Sequence, residues 1–372
     1  MDLVITEEQR MLEQAARDFV AGRSSWKRAR AGTVSRDLWK EMAGLGWLGL
    51  LIPEELGGSA LGYRYSMVVM EQLGRGLMPE PMLSTVLLGA NALIVGGSKA
   101  QREAHLPAVA RGERFLALAY QETHARYSLT AIETTADAAD GGFVLHGEKA
   151  HVMGGVGAEH LVVSALTPAM RGGIGLYLVP ANAKGLHVEP QRRIDGRDAA
   201  IVKLEGVKVG ADAAIGAPDG GLWILERVID AATIGLCAEM IGATDAAFAM
   251  TLEYLKTRVQ FGVPIGSFQA LQHRAARMYA ETELARSAVM HAHALLDESG
   301  GGVAVARAAS LAKAKCSDTM MLVAHEAVQM HGGIGMTDEH DIGLFLKRAR
   351  VAEMTFGDAA FHRDRFARLG GY

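Results

Sequence analysis

The hydrophobic positions change their spacing twice along the chain, and the changes divide it into three parts. Up to about residue 115 the apolar residues recur at helical intervals. Thr6, with Gln9 three positions on, is a capping-box pattern that opens a helix predicted to run to about Val20. Ser35 can cap a second helix carrying Leu38, Trp39, Met42 and Leu45. Pro53 and Gly57-Gly58 then break the pattern. Helical spacing returns from about Tyr65 to Gly74 and from Leu83 to Val95, and Ala100 to Arg111 reads as a short charged surface helix.

From about Phe115 the apolar runs become short. Leu116 to Tyr120, Phe143 to Lys149, Leu161 to Ala165, Gly175 to Val179 and Ile201 to Glu205 are separated by Gly, Pro and Asp clusters. Several short strands at this spacing predict a compact β unit ending near Gly216. From about Leu222 the helical period is back. Ala231 to Arg258 holds no proline, a turn with Gly262 and Pro264 follows, and long helices are predicted over Phe268 to Leu296 and Val303 to His331, with Gly300-Gly301-Gly302 between them. A last helix starts near Ala359. The order predicts an α+β multidomain chain: an N-terminal helical domain over 1–115, a middle β-barrel-like domain over 116–216 and a C-terminal four-helix bundle over 217–372.

Composition narrows the function classes. The 372 residues suffice for two or three domains, and 49% hydrophobic with 22% charged residues is the balance of a soluble globular protein. A net charge of -4 argues against a nucleic-acid partner. Cys237 and Cys316 are isolated, which fits a reducing compartment and offers neither a disulfide framework nor a zinc site. Met1 to Glu8 has no basic stretch and no long apolar run, so no signal peptide is expected. No stretch is apolar enough for a membrane span. The expectation is a cytoplasmic protein without a membrane or metal.

The candidate chemistry lies in Arg258-Val259-Gln260-Phe261-Gly262, Phe268-Gln269 and, far downstream, Gln329-Met330-His331-Gly332-Gly333-Ile334-Gly335. Taken singly, each has an ordinary reading. An arginine at a helix end compensates the helix dipole. A Gly-Gly-x-Gly after a helix is a turn and no dinucleotide fingerprint. As a set they suit a diphosphate: arginine donates to phosphate oxygens in pairs, and glycine lets backbone come close.

Together with Gly44-Leu-Gly-Trp-Leu-Gly-Leu-Leu-Ile-Pro53-Glu-Glu-Leu-Gly-Gly58, Glu71-Gln-Leu-Gly74-Arg75 and Ala119-Tyr120-Gln121-Glu122, these segments resemble the acyl-CoA dehydrogenase family over the whole chain. The resemblance implies FAD as cofactor, an acyl-CoA substrate and an electron-transfer flavoprotein as electron acceptor. It implies that Arg258, Phe261, Gln329, Gly332 and Gly333 hold the adenosine diphosphate, with the two segments coming from different subunits of a homodimer or tetramer. It places Tyr120, Glu122, Val152 and Met153 on the flavin-facing edge of the β domain. Relatives often carry a hydroxyl where Met153 stands, and a Glu-Pro-x-x-Gly-Ser-Asp stretch where this chain reads Glu122-Thr-His-Ala-Arg-Tyr-Ser128.

The family's reaction needs a base for the α-proton. The resemblance maps the usual glutamate to Phe356, in Thr355-Phe356-Gly357-Asp358, and the alternative helix position to Ala232. Neither side chain accepts a proton. Three carboxylates are near in sequence. Asp358 also reads as the N-cap of the last helix, Asp230 as part of a solvated helix face, and Glu239 as one half of an ion pair inside the bundle. The expected activity is a FAD-dependent acyl-CoA dehydrogenation, either by this chain with an unconventional base or as one subunit of a heterotetramer whose related partner supplies it. The rival readings are a flavin monooxygenase or oxidase of the same fold and a non-catalytic partner subunit.

Overall fold

The structure, a computed structural model, describes residues 5–167, 173–217 and 219–372. The N-terminal part is helical: α1 (Glu7–Arg23), α2 (Trp26–Ala31), α3 (Arg36–Gly44), α4 (Tyr63–Arg75), a π-helix (Met82–Ala90), α5 (Asn91–Gly96) and α6 (Lys99–Ala110). The capping box at Thr6 and Gln9 is present, and the Ser35 hydroxyl accepts from the Leu38 amide. The single helix expected from Leu83 to Val95 is a buried π-turn followed by α5.

Seven strands follow: β1 (Leu116–Ala119), β2 (Thr135–Ala139), β3 (Gly142–Met153), β4 (His160–Thr167), β5 (Gly173–Pro180), β6 (Leu186–Arg192) and β7 (Asp198–Gly210). They form one mixed sheet in the order β1-β4-β2-β3-β7-β6, with β5 also paired to β4. Register shifts between β3 and β7 occur next to His146 and next to Val152. Such irregularities bend and twist a strand, so the sheet curls around its own apolar cluster. Two strands were not legible in the sequence. β2 is Thr-Ala-Asp-Ala-Ala, poor in β-branched residues. Among the described residues β6 pairs only with β7, and it contains Pro190, which an edge strand tolerates.

The C-terminal part is α7 (Gly221–Thr257), the hairpin β8 (Val259–Gln260) and β9 (Val263–Pro264), α8 (Gln269–Ser299), α9 (Val303–His331), α10 (Ile342–Met354) and α11 (Ala359–Leu369). α7, α8 and α9 pack side by side, with α10 and α11 on α9. α4 seats against α7 where both carry glycine. A Cβ on Gly242 would lie 1.7 Å from the Glu71 carbonyl oxygen, and one on Gly74 2.1 Å from that of Glu239. One hydrophobic core therefore runs through both helical parts, and the β sheet docks on it through β1 and the π-helix.

Candidate active site

A cavity of about 820 Å³ opens where the end of β1 and the loop after it face α7 and α11. Its wall includes Tyr120, Tyr127, Ile229, Thr233, Phe356 and His362. Phe356 sits at φ 62°, the left-handed region that a bulky residue rarely adopts. The turn is held from below. Nζ of the fully buried Lys313 donates to the carbonyl oxygens of Gly357 (2.7 Å) and Glu353 (2.9 Å) and to the Ser317 hydroxyl (3.2 Å). Burial lowers the Lys313 pKa to about 8. The Phe356 carbonyl accepts from Nε2 of His362 at 3.2 Å, and burial keeps that imidazole neutral, with its pKa lowered to about 3. A strained residue this firmly held, in a cavity wall, marks a place where geometry matters to function.

Tyr120 faces this cavity, and desolvation raises its pKa. Val152 is buried and Met153 half-buried at the end of β3; Met153 lines a second, smaller cavity. Glu122, expected at the flavin, is turned inward. Its Oε1 accepts from Lys149 Nζ (2.6 Å), Thr134 Oγ1 (2.7 Å) and the Thr134 amide (3.1 Å), and its Oε2 from the Glu133 amide (2.8 Å). Burial opposes the charge, but Lys149 and the other donors outweigh it and hold the carboxyl below its ordinary pKa. Both oxygens are thus committed inside the β domain. Its work is to pin the Tyr120 loop. The partner Lys149 was missed, because a lysine in an alternating strand reads as solvent-facing.

The clamp residues gather at the other end of the bundle. Arg258 ends α7 and is exposed, with no ion pair among the described residues. Phe261 sits at the tip of the β8–β9 hairpin, 90% exposed. Gln329, Gly332 and Gly333 are exposed at the end of α9, and a Cβ on either glycine would meet open space. Tyr254, one turn before Arg258, stacks on His331 with ring centroids 4.4 Å apart. That stack brings the ends of α7 and α9, and the two segments with them, together within one protomer. α7 and α9 are neighbours along their length, so their ends meet.

The three nearby carboxylates are engaged. Asp358 Oδ1 caps α11 through the Phe361 amide at 2.8 Å. Asp230 is buried, not solvated, and the Arg365 guanidinium grips it with two bonds of 2.6 and 3.0 Å. Glu239 lies between Arg197 (2.9 Å) and Arg348 (3.0 Å), and Arg348 also reaches Asp195 (2.9 Å). Burial opposes the Glu239 charge, but the two guanidiniums prevail and lower its pKa. Ala232 is fully buried. Two carboxylates that were not candidates in the sequence also line the first cavity, Glu226 and Asp364, the latter paired with Arg368 at 2.8 Å. Glu226 lines it without an ion pair among the described residues, and burial, then Asp230, raise its pKa.

The residues present fit a flavin nucleotide. A guanidinium unpaired among the described residues and two open glycines stand together at one end of the bundle, and a cavity of ligand size with aromatic residues in its wall lies beside Tyr120 after β1. Known proteins agree along the whole chain. Residues 6–113, 117–207 and 219–370 match the acyl-CoA dehydrogenase N-terminal, middle and C-terminal domains. Acryloyl-CoA reductase (NADH) of Anaerotignum propionicum is 30% identical over 99% of this chain and 95% of its own. Butyryl-CoA dehydrogenase of Megasphaera elsdenii has the same fold, with a TM-score of 0.93, 26% identity and full coverage of both chains. A chain of the ChsE4-ChsE5 complex of Mycobacterium tuberculosis superposes with a TM-score of 0.89 at 26% identity, over 100% of this chain and 99% of that one. The chain belongs to the acyl-CoA dehydrogenase family.

Proposed function

We propose that this protein is a FAD-dependent acyl-CoA dehydrogenase subunit that oxidises the α,β-bond of an acyl-CoA thioester and passes the electrons to an electron-transfer flavoprotein. The observation that carries the reading is the pairing of open glycines and an Arg258 unpaired among the described residues with a separate cavity around a strained Phe356. Bound FAD supplies the hydride-accepting ring and the route for electrons. The chain's own residues do the rest. Arg258 neutralises the diphosphate, and Gly332 and Gly333 let backbone approach it. Phe261 gives an apolar contact and Gln329 a hydrogen bond. Tyr120, Val152 and Met153 shape the ring site, and the aromatic rings of Tyr127, Phe356 and Phe361 shield the reacting carbons from water. The three parts divide near residues 115 and 216 as separate domains. The cytoplasm is the compartment this reading favours; no helix among the described residues is long and apolar enough to cross a membrane.

The side chains at Phe356 and Ala232 cannot take the α-proton, Asp230, Glu239 and Asp358 are held by other groups, and Glu226 stands at an exposed position of α7. A related subunit that supplies the base is therefore the favoured assembly, and the ChsE4-ChsE5 complex, one chain of which has this fold, offers a precedent for a chain of this fold in a complex. Copurification decides it. The chain expressed alone, loaded with FAD, should reduce slowly with acyl-CoA, and adding the related subunit should accelerate reduction by about 10²–10⁴-fold, the usual worth of a positioned base. Equal rates with and without the partner would assign the base to this chain. A flavin that acyl-CoA never reduces, with oxygen-dependent turnover through a reductase, would favour the monooxygenase reading.

A further inference from the structure

The glycine segment of the proposed nucleotide site is braced from the far end of the sequence. Gly332 and Gly333 open a short tight turn (Gly332–Met336), and residues 337–341 then lead into α10. Two contacts tie this stretch to its own surroundings. The Thr337 hydroxyl donates to the Ile334 carbonyl oxygen at 2.8 Å, and His340 packs against His331 at the end of α9 with ring centroids 4.5 Å apart. The third tie is Arg30, on α2. Its Nη1 donates to Asp338 Oδ1 (3.0 Å) and its Nη2 to Asp341 Oδ1 (2.9 Å). One guanidinium thus bridges both ends of the stretch 338–341. Lys347 of α10 adds a bond to Asp338 at 3.1 Å.

Arg30 is presented by an element with little freedom of its own. Trp26 meets the ring of Phe345 edge-on at 5.6 Å, and Arg28 pairs with the buried Glu80. Gly32, at φ 65°, lies so close to the β6–β7 loop that a Cβ on it would stand 1.9 Å from the Gly196 carbonyl oxygen. An exposed ion pair is weak because water competes and two free side chains must be ordered. Here the arginine side chain is 32% exposed, and its planar fork meets two acceptors at once. Neither Asp338 nor Asp341 lines the Phe356 cavity, so the bridge bears on the clamp end.

We propose that Arg30 is a positioning residue for the nucleotide: it fixes the stretch 338–341, and through it the backbone of Gly332 and Gly333, so that the FAD diphosphate meets a loop already in place. The proposal rests on the reading of the clamp given above. It is tested by FAD dissociation constants for the protein, assembled with its related subunit where one copurifies, and for its variants. Arg30→Met should weaken FAD binding by about three- to fivefold, the scale of one ion pair at a surface. The loss should vanish when Asp338→Asn and Asp341→Asn are already present, because the bridge is then gone. Arg30→Lys, which keeps the charge but not the fork, should recover part of the affinity. Amide exchange in Gly332–Met336 should quicken in FAD-free Arg30→Met while that of α7 stays as it was. Unaltered FAD binding by Arg30→Met, alongside an Arg258→Ala that weakens it, overturns the proposal alone. So does a loss that persists beside the two asparagine substitutions, which would make Arg30 a distant charge and not a brace. An Arg258→Ala without effect on FAD binding, or a wild type that binds no FAD, defeats the clamp reading and the proposal with it.

Discussion

Phe356 and Arg258 hold the two halves of the proposed chemistry, and each makes a prediction that one substitution tests. Phe356 shares a cavity wall with Tyr120 and has a backbone fixed by Lys313 and His362. Phe356→Glu should shift the visible spectrum of bound flavin and speed its reduction by acyl-CoA; an unchanged spectrum and rate would place residue 356 away from the ring. Arg258 is exposed and unpaired among the described residues, so Arg258→Ala should leave the circular dichroism intact. It should weaken FAD binding by roughly tenfold or more, since a charge-assisted phosphate contact contributes about 1.5–3 kcal/mol. Undiminished FAD content after dialysis would refute that role. At this scale the sequence was legible where a residue's chemistry stands out in its surroundings, as for Arg258 and the glycines. It was misleading where a partner far along the chain decides. Nothing near Glu122 announces Lys149, and nothing near Asp230 announces Arg365.

Helix α7 is the element on which the rest is built. Its contact with α4 depends on missing side chains. Alanine for glycine inside a helix ordinarily stabilises by roughly 0.5–1 kcal/mol. Gly242→Ala should instead destabilise, because the new methyl would fall on the Glu71 carbonyl oxygen at 1.7 Å. A rise in urea midpoint would contradict the close α4–α7 seat. The same helix carries Glu239 into a buried network with Arg197, Arg348 and Asp195. Burial alone would raise the pKa of both carboxyls, but the guanidiniums lower them below their unfolded values. Such groups contribute stability that is full above the unfolded pKa, near 4, and is lost as pH falls through the lower folded value. The melting temperature of the wild type should therefore drop in acid below about pH 4. Arg348→Met should cost about 3–5 kcal/mol at neutral pH, because it leaves Glu239 and Asp195 short of a partner. A melting curve indifferent to that change would remove the network from the stability account. The long helices were legible from period alone, as were the helix caps at Thr6, Ser35 and Asp358. β2 and β6 were not, since an alanine-rich strand and a proline-bearing edge take their structure from neighbours and not from local preference.

Across the whole molecule, the clamp end and the Phe356 cavity are separate features of one protomer, and the clamp end is unfinished in a single chain. Phe261 is 90% and Met336 80% exposed, and Arg258 is unpaired among the described residues. Apolar exposure of that size next to a proposed nucleotide site is suited to a second subunit, so FAD binding and assembly should be coupled. Sedimentation should show FAD driving the chain toward the dimer or larger assembly, and Arg258→Ala should blunt that response; a monomer that binds FAD tightly would break the coupling. The order of three domains was legible from the two changes of hydrophobic period. That Tyr254 and His331 bring the two clamp segments together was not, because the meeting of α7 and α9 at their ends is a packing outcome. The reaction itself is tested most directly by anaerobic titration of the FAD-loaded assembly with a panel of acyl-CoA thioesters, following the visible absorbance of the flavin. Bleaching by at least one thioester, reversed on adding electron-transfer flavoprotein, is the predicted result; a bound flavin that stays oxidised with every thioester, in the presence of its related subunit, would contradict the account.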